Sequence, residues 1–489
     1  MRPRIVAIAA TLVLVFFVLS IPSRDSTPPP STRATGFSWS QDAYWDSLEA
    51  SYRNLRQSGC GAAALVAGPG LARLGATVAG LETELIAADA PVLDSIERRF
   101  FDLGPYAAAC PQFARDYVLL SGRIRGAIKW QSRHWDVSND GVRERLYRSL
   151  YGGRGVIEEV MLHHPDSVVS LLPGTNEPSA TPSTIVQGVE IHSGDMLVSR
   201  GGYPTSALIA RGNDFPGNFS HVALVYVDSA THVASTIEAH IERGVVISSA
   251  DEYLADKKLR ILVLRPRADL PQLMADPMLP HRAASVAIQR AQVEHIPYDF
   301  TMDYNDPSHL FCSEVASAAY REVGVKLWMG MSTISSPGLR RWLGSFGVRH
   351  FETQEPSDLE YDPQLVVVAE WRDPATLRQD HIDNAVIDAM LEGAERGDRL
   401  TYPWYQLAPA RLAKAYSWIM GRLGKTGPIP EGMSTAAALR NSAFSKRQRL
   451  FASRVSAAAD SVSRAQGYPP PYWKLLELAR VAVSSGSRR

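Results

Sequence analysis

The spacing of hydrophobic positions changes character along this chain and divides it into regions. Ile5 to Pro22 reads IVAIAATLVLVFFVLSIP, an uncharged run of 18 residues, at the lower end of the length that spans a bilayer. Residues 23–37 carry Pro28, Pro29, Pro30 and several Ser and Thr, the composition of an extended linker. From Ser38 the apolar positions fall at helical spacing: Trp45, Leu48, Tyr52 and Leu55, with Gly59 as a stop. Similar patterns through about Leu162 predict four or five helices in a region spanning 38–172. PGTNEPSATPST, residues 173–184, reads as a second linker.

Beyond it the period shortens. GDMLVS (Gly194–Ser199), HVALVYV (His221–Val227), VASTIEAH (Val233–His240), GVVISS (Gly244–Ser249) and LRILVL (Leu259–Leu264) are β-branched and bounded by turn residues. The ERG turn predicts a hairpin. An amphipathic helix is expected around His281–Val293, and another from Cys312 to about Val323, ended by Gly324. QLVVVAEW supplies a last strand near Trp371. Strands in series with helices kept apart from them predict an α+β domain with an antiparallel sheet over 185–373. Residues 374–489 turn helical again, in DNAVIDAMLEGA, WYQLAPARLAKAYSWIMGRL and WKLLELARVAV. The second of these holds Trp404, Tyr405, Tyr416, Trp418 and Ile419. Packing on the strand-rich domain is the expected role of that helix, with a seat on a membrane surface as the alternative. No internal repeat is present.

Charge and cysteine content narrow the picture. Lys plus Arg and Asp plus Glu balance at 51 each, so nothing points to nucleic acid. Arg2 and Arg4 before the apolar run fit a signal anchor or a signal peptide within residues 1–22. An uncleaved anchor is favoured because no small-residue cleavage site follows. Either form sends the chain into the cell envelope, tethered with its bulk on the non-cytoplasmic side, or secreted. Three cysteines are present. Export permits Cys60 and Cys110 to pair, leaving Cys312 free. His163 and His164 are adjacent and read as a polar helix end. Asp380, His381 and Asp383 cluster without any metal-binding pattern, and neither a metal nor a cofactor is expected.

Two segments about ninety residues apart carry the chemistry. Asn305-Asp306-Pro307-Ser308 supplies turn and capping residues ahead of CSEVASAAYREVG, so Cys312 falls in the first turns of a helix. Free N–H groups and the helix dipole favour a thiolate there. In HVALVYV, alternation places His221, Ala223, Val225 and Val227 on one sheet face. A helix packed on that face would bring Cys312 to an imidazole base. The neighbouring TIEAH offers Glu238 and His240 as the group that orients the ring. Glu238 is preferred because a carboxylate also stabilises the imidazolium. His240, nearer the hairpin, is expected to be more exposed. His309 is a weaker rival base. Asp195 is expected to shape a strand start, and Glu314 to be solvated or to cap the helix.

Gly194-Asp195, Ser220–Leu224, Glu238-Ala239, Tyr298-Asp299 and Cys312–Glu314 together resemble the circularly permuted papain-like amidases related to the NlpC-type cell-wall peptidases. Lecithin:retinol acyltransferase is a distant cousin of that permuted group, in which the His and the third polar residue precede the Cys, as they do here. The resemblance covers roughly Ile185–Asp373. It implies Cys312 as nucleophile, His221 as base, Glu238 as third member and Tyr298 as a residue lining the site, its hydroxyl beside the Cys312 N–H as an oxyanion donor. The expected activity is hydrolysis of an amide, in a peptide or cell-wall peptide, through a thioester. Acyl transfer or lipid hydrolysis is the alternative, and a non-catalytic envelope scaffold is a third reading.

Overall fold

The computed structural model describes residues 2–22, 28 and 36–486, with side chains from residue 10 onward. Most of the linker expected at 23–37 lies outside the described residues. The apolar run forms α1 (Arg2–Leu19). Six helices follow: α2 (Asp42–Ser58), α3 (Cys60–Leu81), α4 (Pro91–Ala109), α5 (Pro111–Ser132), α6 (Asp140–Tyr147) and α7 (Gly153–His163). Gly59 separates α2 from α3 at φ 77°, a conformation that favours glycine. The helices share one core of Leu74, Val78, Phe100, Tyr117, Ile128, Leu146 and Ile157. Cys60 and Cys110 form a disulfide between the starts of α3 and α5. By length and composition α3 could cross a membrane. Its Leu74, Val78 and Leu81 are instead buried in the helical core.

The strand-rich region begins with β1 (Leu171–Pro173), β2 (Ser183–Val186), β3 (Val189–His192), β4 (Met196–Gly201), α8 (Pro204–Arg211), β5 (His221–Val227), β6 (Ala234–His240) and β7 (Gly244–Ser249). It continues through α9 (Ala250–Ala255), β8 (Lys258–Pro266), α10 (Pro271–Ala275), α11 (Leu279–Val293), α12 (Cys312–Glu322), β9 (Ser332–Thr333), α13 (Pro337–Phe346), β10 (Glu352–Thr353) and β11 (Leu365–Arg372). The main sheet has the order β1-β11-β8-β4-β5-β6-β7, with every neighbouring pair antiparallel. β1 contributes an edge strand from the stretch that leads into the second expected linker.

The two faces of this sheet are buried by different elements. Val222 and Leu224 of β5 pack with Ala316, Ala319 and Tyr320 of α12. Ala223, Val225 and Val227 pack with Ile191 of β3 and Tyr253 of α9. α12 therefore lies on the face opposite the one expected from the alternation in HVALVYV. The thin β2–β3 hairpin and α9 cover the other face. Gly194 (φ 96°) lets the chain pass Pro280 where a Cβ would stand 2.3 Å from its Cβ. Its carbonyl accepts the Tyr320 hydroxyl at 2.6 Å, tying α12 to the start of β4.

The C-terminal region comprises α14 (Pro374–Glu395), α15 (Leu407–Arg422), α16 (Thr435–Gln466) and α17 (Tyr472–Gly486). α16, the longest of the described helices, is not evident in the hydrophobic pattern because Ala, Ser and Arg dominate it. Its buried seam of Phe444, Gln448, Phe451, Val455 and Ala459 has helical spacing in retrospect. α15 and the turn before it do not bury their aromatic residues on the strand-rich domain. Trp404, Tyr405, Tyr416 and Trp418 are exposed, while Ala410 and Ala413 pack inward.

A buried ion network joins the three regions. Arg260 on β8 bridges Glu158 of α7 (2.5 Å) and Asp380 of α14 (2.5 Å). Glu158 also meets Arg372 at 3.2 Å and His381 at 2.9 Å. Glu370 of β11 receives Arg154 at 3.0 Å and Arg125. Asp380 and His381 are thus held in ion pairs.

Candidate active site

Cys312 is the first residue of α12 and is buried. Glu314, two residues on, turns its carboxyl back to accept the Phe311 N–H at 2.8 Å, which caps the helix. It is buried rather than solvated, and burial pushes its carboxyl up to about 9.

The sulfur reaches the sheet through an opening between two strands. The β5–β6 ladder starts at Ala223↔Glu238, so His221 and Val222 are not paired with β6. The Cys312 thiol donates to the Ser220 carbonyl there at 3.8 Å, a long and weak contact. The Val222 N–H also faces the sulfur. Ser220 and Val222 are the two residues that flank His221, so the thiol meets the strand on either side of the imidazole's own backbone. Burial pushes the thiol up to about 12; the Val222 N–H and the Ser313 hydroxyl and N–H pull it the other way, and Glu355 adds to the rise. The resting sulfur is a thiol, and a base is needed to ionise it.

His221 and Glu238 share the opposite sheet face, as strand alternation requires. Glu238 stands across from Ala223, one diagonal step from His221. His221 Nε2 and Glu238 Oε2 are 2.6 Å apart. Burial works against the Glu238 charge, but hydrogen bonds from His221 and His240 outweigh it and hold the carboxyl well below the usual range. A carboxylate only accepts, so Nε2 of His221 carries the proton. Nδ1, the nitrogen nearer the His221 backbone, is left as the basic atom. Burial lowers the His221 pKa, and the bond to Glu238 opposes that fall. The imidazole is therefore neutral and basic near neutral pH.

His240 is more exposed than Glu238 and approaches the same Oε2 at 3.2 Å. Its Nδ1 accepts from Arg243 at 3.1 Å, so its Nε2–H faces the carboxylate. Thr236 donates to the other Glu238 oxygen at 3.4 Å. The ligand atoms of His221, Glu238 and His240 lie within 4.8 Å of one another, a donor set of two imidazoles and a carboxylate that suits a divalent transition metal. A metal held by all three would compete with Glu238 for the His221 Nε2.

Tyr298 packs on Phe300, ring centroids 5.1 Å apart. Burial raises its phenol well above the usual value, and Cys312 adds to the rise. His309 is exposed and bonded to Ser308, away from Cys312. Asp195 receives Arg265 through both oxygens at 2.8 Å and orders the start of β4, as expected. Sequence reasoning missed Glu355. It is 4% exposed, its carboxyl is raised well above the normal range by burial and then by Asp358, and it acts electrostatically on both Cys312 and Tyr298. It lies in an irregular stretch, where no periodicity could have singled it out.

A search of the curated proteins finds no match. Among solved structures, YiiX from Escherichia coli O157:H7, described as a metalloprotein, is 17% identical, with a TM-score of 0.29 over 37% of this chain and 97% of that one. Residues 190–369 match the family model described as permuted papain-like amidase enzyme, YaeF/YiiX, C92 family. That span contains β4–β6, α12 and all four residues singled out at the site, so the match to a permuted papain-like domain falls between two helical regions.

Proposed function

We propose that the protein is an exported, membrane-tethered cysteine hydrolase that cleaves an amide in a peptide or cell-wall peptide. The observation that carries this reading is the His221–Glu238 pair at 2.6 Å, with the Cys312 sulfur against the residues on either side of His221. The step requires the imidazole to meet the sulfur through the gap where β5 and β6 are unpaired; Nδ1 of His221 then takes the thiol proton as the sulfur attacks the carbonyl carbon. The Tyr298 hydroxyl and the Cys312 N–H hold the oxyanion. The imidazolium, stabilised by Glu238, returns its proton to the leaving amine. A thioester remains, and water activated by the same imidazole opens it. The basic, apolar N-terminus supports export, and the Cys60–Cys110 disulfide fits an oxidising compartment.

Alkylation with iodoacetamide across pH, read by mass at Cys312, tests this. Labelling with a midpoint far below that of a buried thiol, lost in His221→Ala, is the expected result. A Cys312→Ala protein that still turns over an amide substrate refutes it.

One observation favours acyl chemistry as a second reading. A cavity of about 390 Å³ lies on the Glu238 face of the sheet, across the sheet from α12, walled by Leu197, Val225, Tyr253, Ile261, Val263 and Trp371. It reaches Thr236, the hydrogen-bond partner of Glu238. A volume of this kind suits an apolar chain. An acyl adduct on Cys312 after incubation with phospholipid would support transfer, and peptide turnover without an adduct would support the amidase.

A further inference from the structure

We propose that α15 is a second membrane contact, a surface helix that seats the cysteine cleft against an anionic lipid bilayer. The proposal rests on the membrane-tether reading of α1 and extends it to the other end of the chain.

Leu412, Tyr416, Ile419 and Leu423 recur at helical spacing along α15 and its C-cap, and all are exposed, Leu412 at 63% and Leu423 at 66%. Trp418 (63%) stands beside them, with the Arg422 guanidinium 4.9 Å from its ring centroid. A contiguous apolar stripe of this kind, rimmed by aromatic rings and basic side chains, is the pattern of a helix lying in a bilayer interface. The opposite face, with Ala410 and Ala413, packs on Ile429, Met433 and Ala437, so the helix is held in place with its stripe outward.

Charge identifies the lipid. Residues 399–430 contain Arg399, Arg411, Lys414, Arg422 and Lys425 and no Asp or Glu. In a chain whose charges balance overall, this is a local excess of five positive charges, suited to anionic headgroups.

Position relative to α1 supplies the second argument. Arg411 donates to the carbonyls of Leu19 at 2.9 Å and Ile21 at 2.8 Å, satisfying the open C-terminus of α1. Trp404 packs on Phe16 and Phe17, each ring centroid 6.1 Å away. At ~1.5 Å per residue α1 is roughly as long as a hydrocarbon core is thick. The end that Arg411 holds is then the end that leaves the lipid, and α15 starts at that boundary.

The seat adjoins the site. Ile241 and Phe300 belong to the same small core as Ala410 and Ala413. Ile241 follows His240, and Phe300 packs on Tyr298. One helix diameter, about 10 Å, separates the lipid surface from the residues that border the cleft. The substrates that such a site meets first are those carried on or in the membrane.

The test uses the full chain in vesicles of phosphatidylcholine and phosphatidylglycerol. In a Cys312→Ser background, Tyr416→Cys, Ile419→Cys, Val13→Cys and Val293→Cys are each labelled with a fluorophore and challenged with brominated lipids. Val293 is an exposed control on α11. The expected result is loss of fluorescence at 416 and 419 with bromines near the headgroup, loss at 13 with bromines near the chain end, and none at 293. The losses at 416 and 419 should fall when phosphatidylglycerol is replaced by phosphatidylcholine. Quenching at 13 with 416 and 419 as bright as 293 overturns the surface helix and leaves the tether. Quenching at 416 and 419 but not at 13 supports the surface helix and removes the tether. No quenching at any site overturns both.

Discussion

Replacing Glu238 by Gln should move two features of Cys312 reactivity by the same free energy. Glu238 is 2% exposed and accepts the His221 Nε2–H at 2.6 Å. A hydrogen bond to a charged, buried partner contributes about 1.5–3 kcal/mol net. Glutamine keeps an acceptor of similar shape and loses the charge, so that energy is withdrawn from the imidazolium. Burial already lowers the His221 pKa, and Glu238 opposes the fall; deleting the carboxylate removes the opposing contribution. At ~1.4 kcal/mol per unit, the acidic limb of alkylation should shift down by about one to two pH units. The thiolate–imidazolium pair loses the same stabilisation, so the plateau rate should fall roughly 10- to 100-fold. The assay is the rate of iodoacetamide labelling at Cys312 from acidic to mildly basic pH, followed by mass. A limb that stays in place, or moves up, while the plateau falls would refute the electrostatic role and leave Glu238 as a packing residue.

Tyr298→Phe should leave the alkylation profile unchanged, since it acts after the sulfur is ionised, and should lower amide turnover roughly 100-fold; equal losses in both assays would contradict an oxyanion role. Arg260→Met leaves Glu158 and Asp380 without their bridging cation, and should cost about 3–5 kcal/mol in urea unfolding. Arg260→Lys should restore little of it, because one ammonium cannot reproduce the guanidinium fork. Replacing Cys60 and Cys110 together by Ala opens a loop of 50 residues, and should cost about 4 kcal/mol on the chain-entropy account. Matching stabilities with and without reductant would argue that the bond is absent in the protein as purified.

What could be read in the sequence was what depends on local pattern. The strands from His221 to Val227 and from Gly244 to Ser249 have the expected ends, because β-branched alternation and flanking turn residues agree there. Cys312 at a helix start and Glu238 beside His221 also follow from local spacing, strand against strand. The face on which α12 packs did not follow. Alternation says which residues share a side, and long-range packing decides which side receives a helix. α15 packs beside Ile241 and Phe300 of the strand-rich domain through Ala410 and Ala413, whereas its aromatic rings face outward, which the helical spacing did not reveal. Glu355 and the donors around the sulfur come from loops and from strands splaying apart, where no period exists to read.

The buried arginines carry a consequence for how this protein can be divided. Arg200, Arg260 and Arg372 sit inside the family-matched region or at its border, yet they answer to Glu158 before it and Asp380 after it. A fragment trimmed to residues 190–369 would leave guanidinium groups in its interior with their counter-ions cut away. The helical flanks are therefore structural members of the domain, and the excised piece should be insoluble or molten while the intact chain melts in one step. The same wiring restricts recombination: a relative's amidase core could replace this one only if it brought acids and arginines in matching positions on all three parts.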